Sequence, residues 1–256
     1  MARSTRSGGA GRKSPPRSGT GRGRDRPAAS PVKRARRWAI RQALRLFGVF
    51  VILLFLAILI FRFVAPPTTW TMVSEGRRLD GITREWVPVD EIAPVMLRSA
   101  VAAEDANFCL HWGFDMSAIR RALNEGAIRG ASTLSQQTVK NVFLWQHRSW
   151  ARKALEAGIT PVAEIVWPKR RILELYLNVA EFGEGIFGIE AAANFYFGTT
   201  AAKLTARQAG LLAAALPAPK ARNPSAPPDW MRRRGAAIED GAATIARDGR
   251  AACFED

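Results

Sequence analysis

The chain has 256 residues, 48% of them hydrophobic, and a formal net charge of +16. Residues 1–45 hold 14 Lys and Arg against a single acid and carry +13, so the rest of the chain carries only +3. Because one tail accounts for most of the charge, the composition gives no support for nucleic acid as a partner.

The N-terminal part divides into a polar tail and an apolar run. Residues 1–44 are rich in Arg, Gly, Ser and Pro and hold few large apolar residues, which predicts a disordered basic tail. The next stretch, "LFGVFVILLFLAILIFRFVA", is uncharged over its first 16 residues. A membrane-spanning helix needs about 20 apolar residues. We therefore predict a transmembrane helix over residues 45–65, stopped by Pro66–Pro67.

A cleaved signal peptide is the alternative interpretation of this run. Its basic N-terminal region would be far too long, and "FVAPP" lacks a good small-x-small cleavage site. A retained anchor is therefore favoured. Basic residues precede the run directly and place its N-terminal end in the cytoplasm by the positive-inside rule. Residues 66–256 then face outward and are long enough for one domain with its own core.

The outer domain is predicted to be mainly α-helical. Residues 68–92 contain β-prone pieces such as "TTWTMV" and are predicted as short extended segments and turns. Apolar residues at helical spacing then predict a series of helices. These cover residues 93–108, 117–130, 133–145, 150–167, 168–182, 188–198, 205–217 and 230–247, with Ser132 or Thr133 as an N-cap and a bend at Pro161.

The stretch "AAEDANFCLHWGFD" places two carboxylates, Glu104 and Asp105, after small apolar residues. A glutamate beside a like charge and apolar neighbours should have a raised pKa. Such a group suits general acid or base catalysis. The structural alternative is a solvated helix end with Phe108 in the core.

The stretch "GASTLSQQTVKN" packs eight polar residues into twelve positions. Thr133, Gln137, Lys140 and Asn141 recur at i, i+4, i+7 and i+8, which predicts one polar helix face. Hydroxyl, amide and ammonium groups without a carboxylate suit an anion or a sugar. A solvated surface is the alternative, although solvated faces more often carry Glu and Lys.

Further along, "WARKALEAG" places Arg152 and Lys153 one turn before Glu156. These residues form either a surface ion pair or a cationic clamp for phosphate beside a second carboxylate.

In "EFGEGIFGIEAAANFYFG" the glycines lack the preceding strand that a dinucleotide fold needs, so a tight turn that packs the next helix is predicted. Aromatic and basic residues over 143–152 are typical either of core packing or of a surface in the lipid interface.

Two cysteines and two histidines provide little further chemistry. Cys109 and Cys253 permit one disulfide in an oxidising compartment, but nothing in the sequence requires it. Neither they nor His111 and His147 have the spacing of a metal site.

In order along the chain, "EDANFCLHWGFD", "GASTLSQQTVKN", "RKALE", "KRRILELYLNVAEFG" and "GIFGIEAAANFYFG" resemble the successive motifs of the peptidoglycan glycosyltransferases, glycosyltransferase family 51. The resemblance covers about residues 98–224 and is closest to the monofunctional branch. It implies a lysozyme-like α fold with a small membrane-associated jaw subdomain. It also implies polymerisation of lipid II into β-1,4-linked glycan with inversion and release of undecaprenyl diphosphate.

The resemblance also implies roles for individual residues. Glu104 would be the general base and Glu156 would assist on the donor side. Substrate contacts would come from the remaining motif positions: Asp105, Phe108, His111, Ser132, Thr133, Gln136, Gln137, Lys140, Asn141, Arg152 and Lys153. No cofactor is obligatory, although a divalent cation, Mg²⁺ or Mn²⁺, helps some members. The implied partners are lipid II, the lipid-linked glycan chain, the membrane and proteins of cell-wall synthesis or division, with the catalytic domain periplasmic and anchored in the inner membrane.

Two other interpretations remain open from the sequence. A lysozyme-like glutamate can cleave glycan instead of building it. A membrane-anchored binding protein with a recruiting basic tail is the non-catalytic alternative. The only S-x-x-K sequence, from Ser30 to Lys33, lies in the tail, so no transpeptidase activity is predicted.

Overall fold

In the computed structural model, residues 31–124 and 132–255 are described. Most of the predicted tail, the end of the helix predicted over 117–130 and its closing Gly130 lie outside these ranges. Helix α1 spans Pro31–Phe61 and is the one described helix long and apolar enough to cross a membrane. It starts well before the predicted Arg45 because residues 31–45 are rich in Ala, Arg, Lys and Gln, which favour helix, and because Pro31 suits a first turn.

The chain separates near residue 50 into two compact units, and the second, from Val51 onward, holds the outer domain. This unit is mainly helical, as predicted. Its helices are α2 (Trp70–Leu79), α3 (Pro94–Glu104), α4 (Met116–Asn124), α5 (Leu134–Phe143), α6 (Trp150–Val166), α7 (Lys169–Val179), α8 (Ile189–Phe197), α9 (Ala206–Ala215), α10 (Asp229–Arg247) and α11 (Ala252–Glu255).

The prediction of extended segments over residues 68–92 is wrong for its first half. Trp70–Leu79 is helical because the Thr69 side chain accepts a hydrogen bond from Met72 N at the start and Asp80 closes the end in the left-handed conformation. These two caps outweigh the β preference of Thr, Trp and Val. Only β1 (Thr83–Arg84) is extended as a strand.

A small three-stranded sheet brings the segment after α2 next to the segment after α7. Strands β2 (Glu181–Gly183) and β3 (Ile186–Phe187) form a hairpin, and β1 pairs in parallel with β3 to give the order β1-β3-β2. Gly188, at φ 89°, then caps α8, and a Cβ there would lie 3.1 Å from the Glu85 carbonyl oxygen. The predicted tight turn before a packed helix is thus confirmed.

The core lies between two helix groups. Helices α3, α9 and α10 pack on one another, and α5 packs between α6 and α7. Helix α6 is continuous through Pro161. The largest side chains with almost no exposure, Trp167, Tyr176, Phe108, Phe182, Phe187 and Phe254, fill the space between the elements.

Helices α9 and α10 approach closely at a pair of glycines. A Cβ on Gly210 would lie 2.5 Å from the Gly235 carbonyl oxygen. We expect Gly210→Ala to lower the free energy of unfolding by about 1–3 kcal/mol because one backbone must move away from the other. Thermal unfolding in detergent checks this. Gly158→Ala on α6, where a Cβ meets no atom within 4 Å, is the matched control and should be neutral or stabilising. Equal midpoints for the two variants would contradict the expectation.

Candidate active site

Glu104 is the last residue of α3 and is largely buried. The Gln137 amide donates a 2.8 Å hydrogen bond to its Oε2. Burial raises the pKa of the Glu104 carboxyl, while the Gln137 bond and the positive charges of Arg234, Lys140 and Arg222 oppose this. A raised pKa was predicted, but the stated cause was wrong in part. Burial, which the apolar neighbours indicated, is the main cause, and the charge of Asp105 is not among the causes.

Asp105 uses its carboxylate to tie two segments together. Its carboxylate accepts a 2.9 Å hydrogen bond from Leu134 N at the start of α5 and lies 2.9 Å from His111 Nε2. Phe108 is fully buried, next to Phe254 and beneath the Lys169 ammonium, 4.4 Å from its ring centre. Asp105, Phe108 and His111 therefore support the segment over residues 105–115, the loop behind Glu104. None of the three lines either of the two larger cavities.

The polar face predicted on α5 is only partly formed. Thr133 is the N-cap and forms a reciprocal capping box with Gln136, and its hydroxyl donates to the Gly113 carbonyl at 2.7 Å. Both side chains are buried and serve the helix start. Gln137, Lys140 and Asn141 do line a cavity, as the spacing predicted.

Glu156 on α6 is buried between two cations. Arg152 Nη1 lies 3.1 Å from one carboxylate oxygen, and Lys153 pairs with the other. Lys153 also donates to Ser132 Oγ at 3.1 Å, and Arg152 Nε donates to the His147 carbonyl. The Glu156 carboxylate thus holds both cations in place at one wall of a cavity. Because both of its oxygens are paired, it is better suited to electrostatic support than to proton transfer.

Two cavities, of about 810 and 700 Å³, share Gln137, Lys140 and Gln146 in their walls. The smaller one is rich in cations, with Lys140, Arg148, Arg152 and Lys153 set against Glu156 alone. Burial and the nearby Arg152 lower the pKa of Lys140, while Glu156 and Glu104 oppose this. The Lys140 ammonium therefore interacts electrostatically with the carboxylates of both Glu104 and Glu156. A cavity of this kind suits a polyanion such as diphosphate.

The larger cavity contains residues that sequence reasoning missed. Trp70 and Trp145 lie in its wall, together with Glu75, Glu181 and Lys220. Lys220 Nζ lies 2.7 Å from Glu75 and 3.6 Å from Glu181, so one ammonium joins α2, β2 and the segment after α9. Aromatic rings beside hydrogen-bonding groups suit a sugar. No local pattern connects these residues, because they come from four distant parts of the chain.

Within residues 31–124 and 132–255, no group of three or more His, Cys, Asp and Glu side chains is arranged to hold a metal ion. Glu156, the carboxylate of the cationic cavity, already pairs with two cations. The donor set therefore does not fit a dedicated metal site.

A mostly helical scaffold, in which a largely enclosed glutamate is bonded to a wall residue of a cation-lined cavity, fits a glycosyl-transferring enzyme. A comparison with protein families matches residues 72–242 to the family described as Transglycosylase. The match covers more than half of the chain, and the chain belongs to this family of glycosyltransferases.

Curated relatives extend the similarity over most of the chain. A biosynthetic peptidoglycan transglycosylase of Jannaschia sp. (strain CCS1) is 61% identical over 219 residues, covering 86% of this chain and 90% of the relative. Proteins of the same name are 48% identical in Rhodospirillum centenum, covering 84% of this chain and 95% of the relative, and 51% identical in Yersinia pseudotuberculosis, covering 69% and 78%.

Proposed function

We propose that the chain is a membrane-anchored peptidoglycan glycosyltransferase that polymerises lipid II into β-1,4-linked glycan strands. The observation that carries this proposal is that the partly exposed carboxylate of Glu104 accepts a hydrogen bond from Gln137, which lines the cation-rich cavity together with Lys140. The names and extent of the curated relatives support the same class of reaction.

In the proposed reaction Glu104 takes the proton from the 4-hydroxyl of the acceptor sugar. The oxygen attacks the anomeric carbon of the lipid-linked donor, the bond from that carbon to the diphosphate breaks, and the configuration inverts. Negative charge grows on the leaving oxygens in the transition state, so fixed cations nearby lower the barrier. Lys140, Arg152 and Lys153 supply this charge, and Glu156 fixes the last two.

No obligatory cofactor is proposed. A divalent cation such as Mg²⁺ or Mn²⁺ would enter with the diphosphate, since the carboxylate beside it is already paired. The products are a lengthened lipid-linked glycan chain and undecaprenyl diphosphate. Transpeptidase activity is not part of the proposal.

Helix α1 supports a single-pass location in the inner membrane, since it is long and apolar enough to span a bilayer. The basic residues in the first half of this helix, before its apolar run, favour a cytoplasmic N-terminus and a periplasmic catalytic domain. Such anchoring suits a substrate that stays in the bilayer. Proteins of cell-wall synthesis or division are the proposed protein partners.

The direct test supplies the detergent-solubilised full chain with labelled lipid II and resolves the products by size. We expect long strands that a muramidase degrades. An absence of polymer across several lipids, detergents and metal ions would overturn the proposal. Cleavage of mature glycan under the same conditions would indicate a hydrolase instead.

The cation shared by the two cavities gives a sharper prediction. Lys140→Met is expected to lower the polymerisation rate by about 10²-fold, because it removes one charge that stabilises the leaving diphosphate. Initial rates at several lipid II concentrations check this. Lys203→Met, at an exposed lysine outside both cavities, is the matched control. Wild-type rates in Lys140→Met would contradict the assignment.

A further inference from the structure

The outer end of α1 is bound to the catalytic unit through its backbone carbonyl groups. The last carbonyls of a helix lack partners within the helix and need donors from elsewhere. Arg62 N bonds to Leu59 O at 3.3 Å, which leaves the Ile58 carbonyl free to accept the Trp167 indole N–H at 2.7 Å. Ile58 itself is only 1% exposed, although most of α1 is exposed.

Arginines of the domain continue this capping beyond the helix end. Arg171 donates from Nε to the Phe61 carbonyl and from Nη2 to the Val64 carbonyl, both at 2.9 Å. Arg84 donates to the carbonyls of Pro66 and Pro67 at 2.7 and 2.6 Å. Cations at a helix C-terminus also oppose its dipole. These donors are used on the chain itself, so the cluster caps the helix and does not form a site for an external anion.

Arg62 makes the reciprocal contact, because its guanidinium donates to the Val166 carbonyl at the end of α6. Arg84 and Arg171 also lie over the Trp86 ring, at 5.7 and 5.5 Å. Contacts thus run in both directions between the helix end and the domain. A helix joined to the domain by a flexible linker would need none of these contacts.

An aromatic stack connects this junction to the cavity wall. Phe61 stacks on Phe143 with ring centres 5.8 Å apart, and Phe143 stacks on Trp167 at 6.0 Å. Phe143 is the last residue of α5, one turn after Lys140, and both line the larger cavity. The end of the apolar helix therefore contacts a residue of the wall that holds the shared cation.

We infer that the outer end of α1 is a fixed part of the catalytic unit. Trp167 and Arg171 are positioning residues, and through them the helix holds the cleft formed by the two cavities at a defined height and tilt over the membrane. This inference rests on the proposed function, because a defined height matters only for a substrate held in the same bilayer. A displacement of about 1 Å between reacting groups can lower a rate by about 10²-fold.

The test compares full-length proteins that carry nitroxide labels at Ile52→Cys, on α1, and Arg207→Cys, at the start of α9. The disulfide that the structure contains between Cys109 and Cys253 is kept. Both positions are exposed and lie in the same compact unit. Trp167→Phe removes the indole donor but keeps an aromatic ring for the stack, and Arg171→Gln removes two carbonyl contacts. Trp38→Phe and Arg247→Gln are matched controls at exposed positions outside the junction.

In vesicles we expect a narrow distance distribution for the wild type and the controls, and a clearly broader one for Trp167→Phe combined with Arg171→Gln. The same double variant should lose about tenfold in polymerisation of vesicle-embedded lipid II and keep most of its activity in detergent, where the cleft and the substrate are free to realign. A merely structural role would lower both activities and the unfolding midpoint together.

A broad wild-type distribution, or a double variant as narrow as the wild type, would overturn the inference. The distance measurement needs no activity, so it decides the inference even if the wild type makes no polymer, which would overturn only the proposed function. If the double variant does not fold, the distance distribution is measured for Trp167→Phe and Arg171→Gln separately, and the same criterion applies to each.

Discussion

Replacing Glu104 with glutamine is expected to lower the polymerisation rate by about 10²–10⁴-fold, the usual contribution of a general base. Glutamine keeps the size of the side chain and still accepts a hydrogen bond from Gln137, but it cannot take a proton from the acceptor hydroxyl. Steady-state rates over a range of lipid II concentrations should show the loss in kcat with little change in KM, because binding depends on other groups.

The same variant has a second readout in the pH dependence. Burial raises the pKa of the Glu104 carboxyl above the ordinary value of 4.5. A base must be deprotonated to act. The wild-type rate should therefore be low at pH values below this raised pKa and should increase as the pH rises through it. The acidic limb should be absent from the residual rate of Glu104→Gln.

Glu85→Gln, at an exposed carboxylate, is the matched control and should keep the wild-type rate and pH profile. If Glu104→Gln polymerises at the wild-type rate, a different group is the base. An acidic limb that persists in the variant would have the same meaning.

Loss of the Cys109–Cys253 disulfide is expected to lower the free energy of unfolding by about 2–5 kcal/mol. The bridge joins residues 144 apart in sequence, and crosslinks of long loops remove much chain entropy from the unfolded state. It also holds the C-terminal segment against the loop behind Glu104. There Phe254 packs against Phe108, and Arg250 donates to the Ala106 carbonyl at 3.0 Å.

Thermal unfolding with and without reductant measures this effect. The wild type should lose stability on reduction, whereas the double variant Cys109→Ser with Cys253→Ser should start low and not change further. We expect polymerisation at elevated temperature to fall in parallel. A wild-type midpoint that reductant leaves unchanged would show that the bridge contributes nothing to folding.

Local sequence signals predicted the helices well where the caps lie within the same stretch. Thr133 and Gln136 form their capping box three residues apart, and α5 starts where this pattern indicates. Residues 70–79 were predicted wrongly because Thr, Trp and Val favour strands, and the two caps that override this preference are single residues at the ends.

The candidate site was predictable only where its residues lie in one motif. Gln137 and Lys140 share a helix face, so spacing alone indicated a polar wall. Glu75, Glu181 and Lys220 meet only through the fold, and no period or spacing connects them. The direction of the pKa shift of Glu104 and one of its causes, the apolar surroundings, were predictable, whereas the opposing charges of Arg222 and Arg234 come from distant parts of the chain.

The separation of the two cysteines also constrains when the protein matures. During synthesis Cys109 emerges 144 residues before Cys253. At about 5–20 residues per second this is a delay of roughly 7 to 30 seconds. In the topology proposed above, the loop behind Glu104 receives its covalent support only after the C-terminal segment has crossed the membrane and met an oxidant. A chain whose C-terminal segment is not yet exported would then carry this loop without its crosslink.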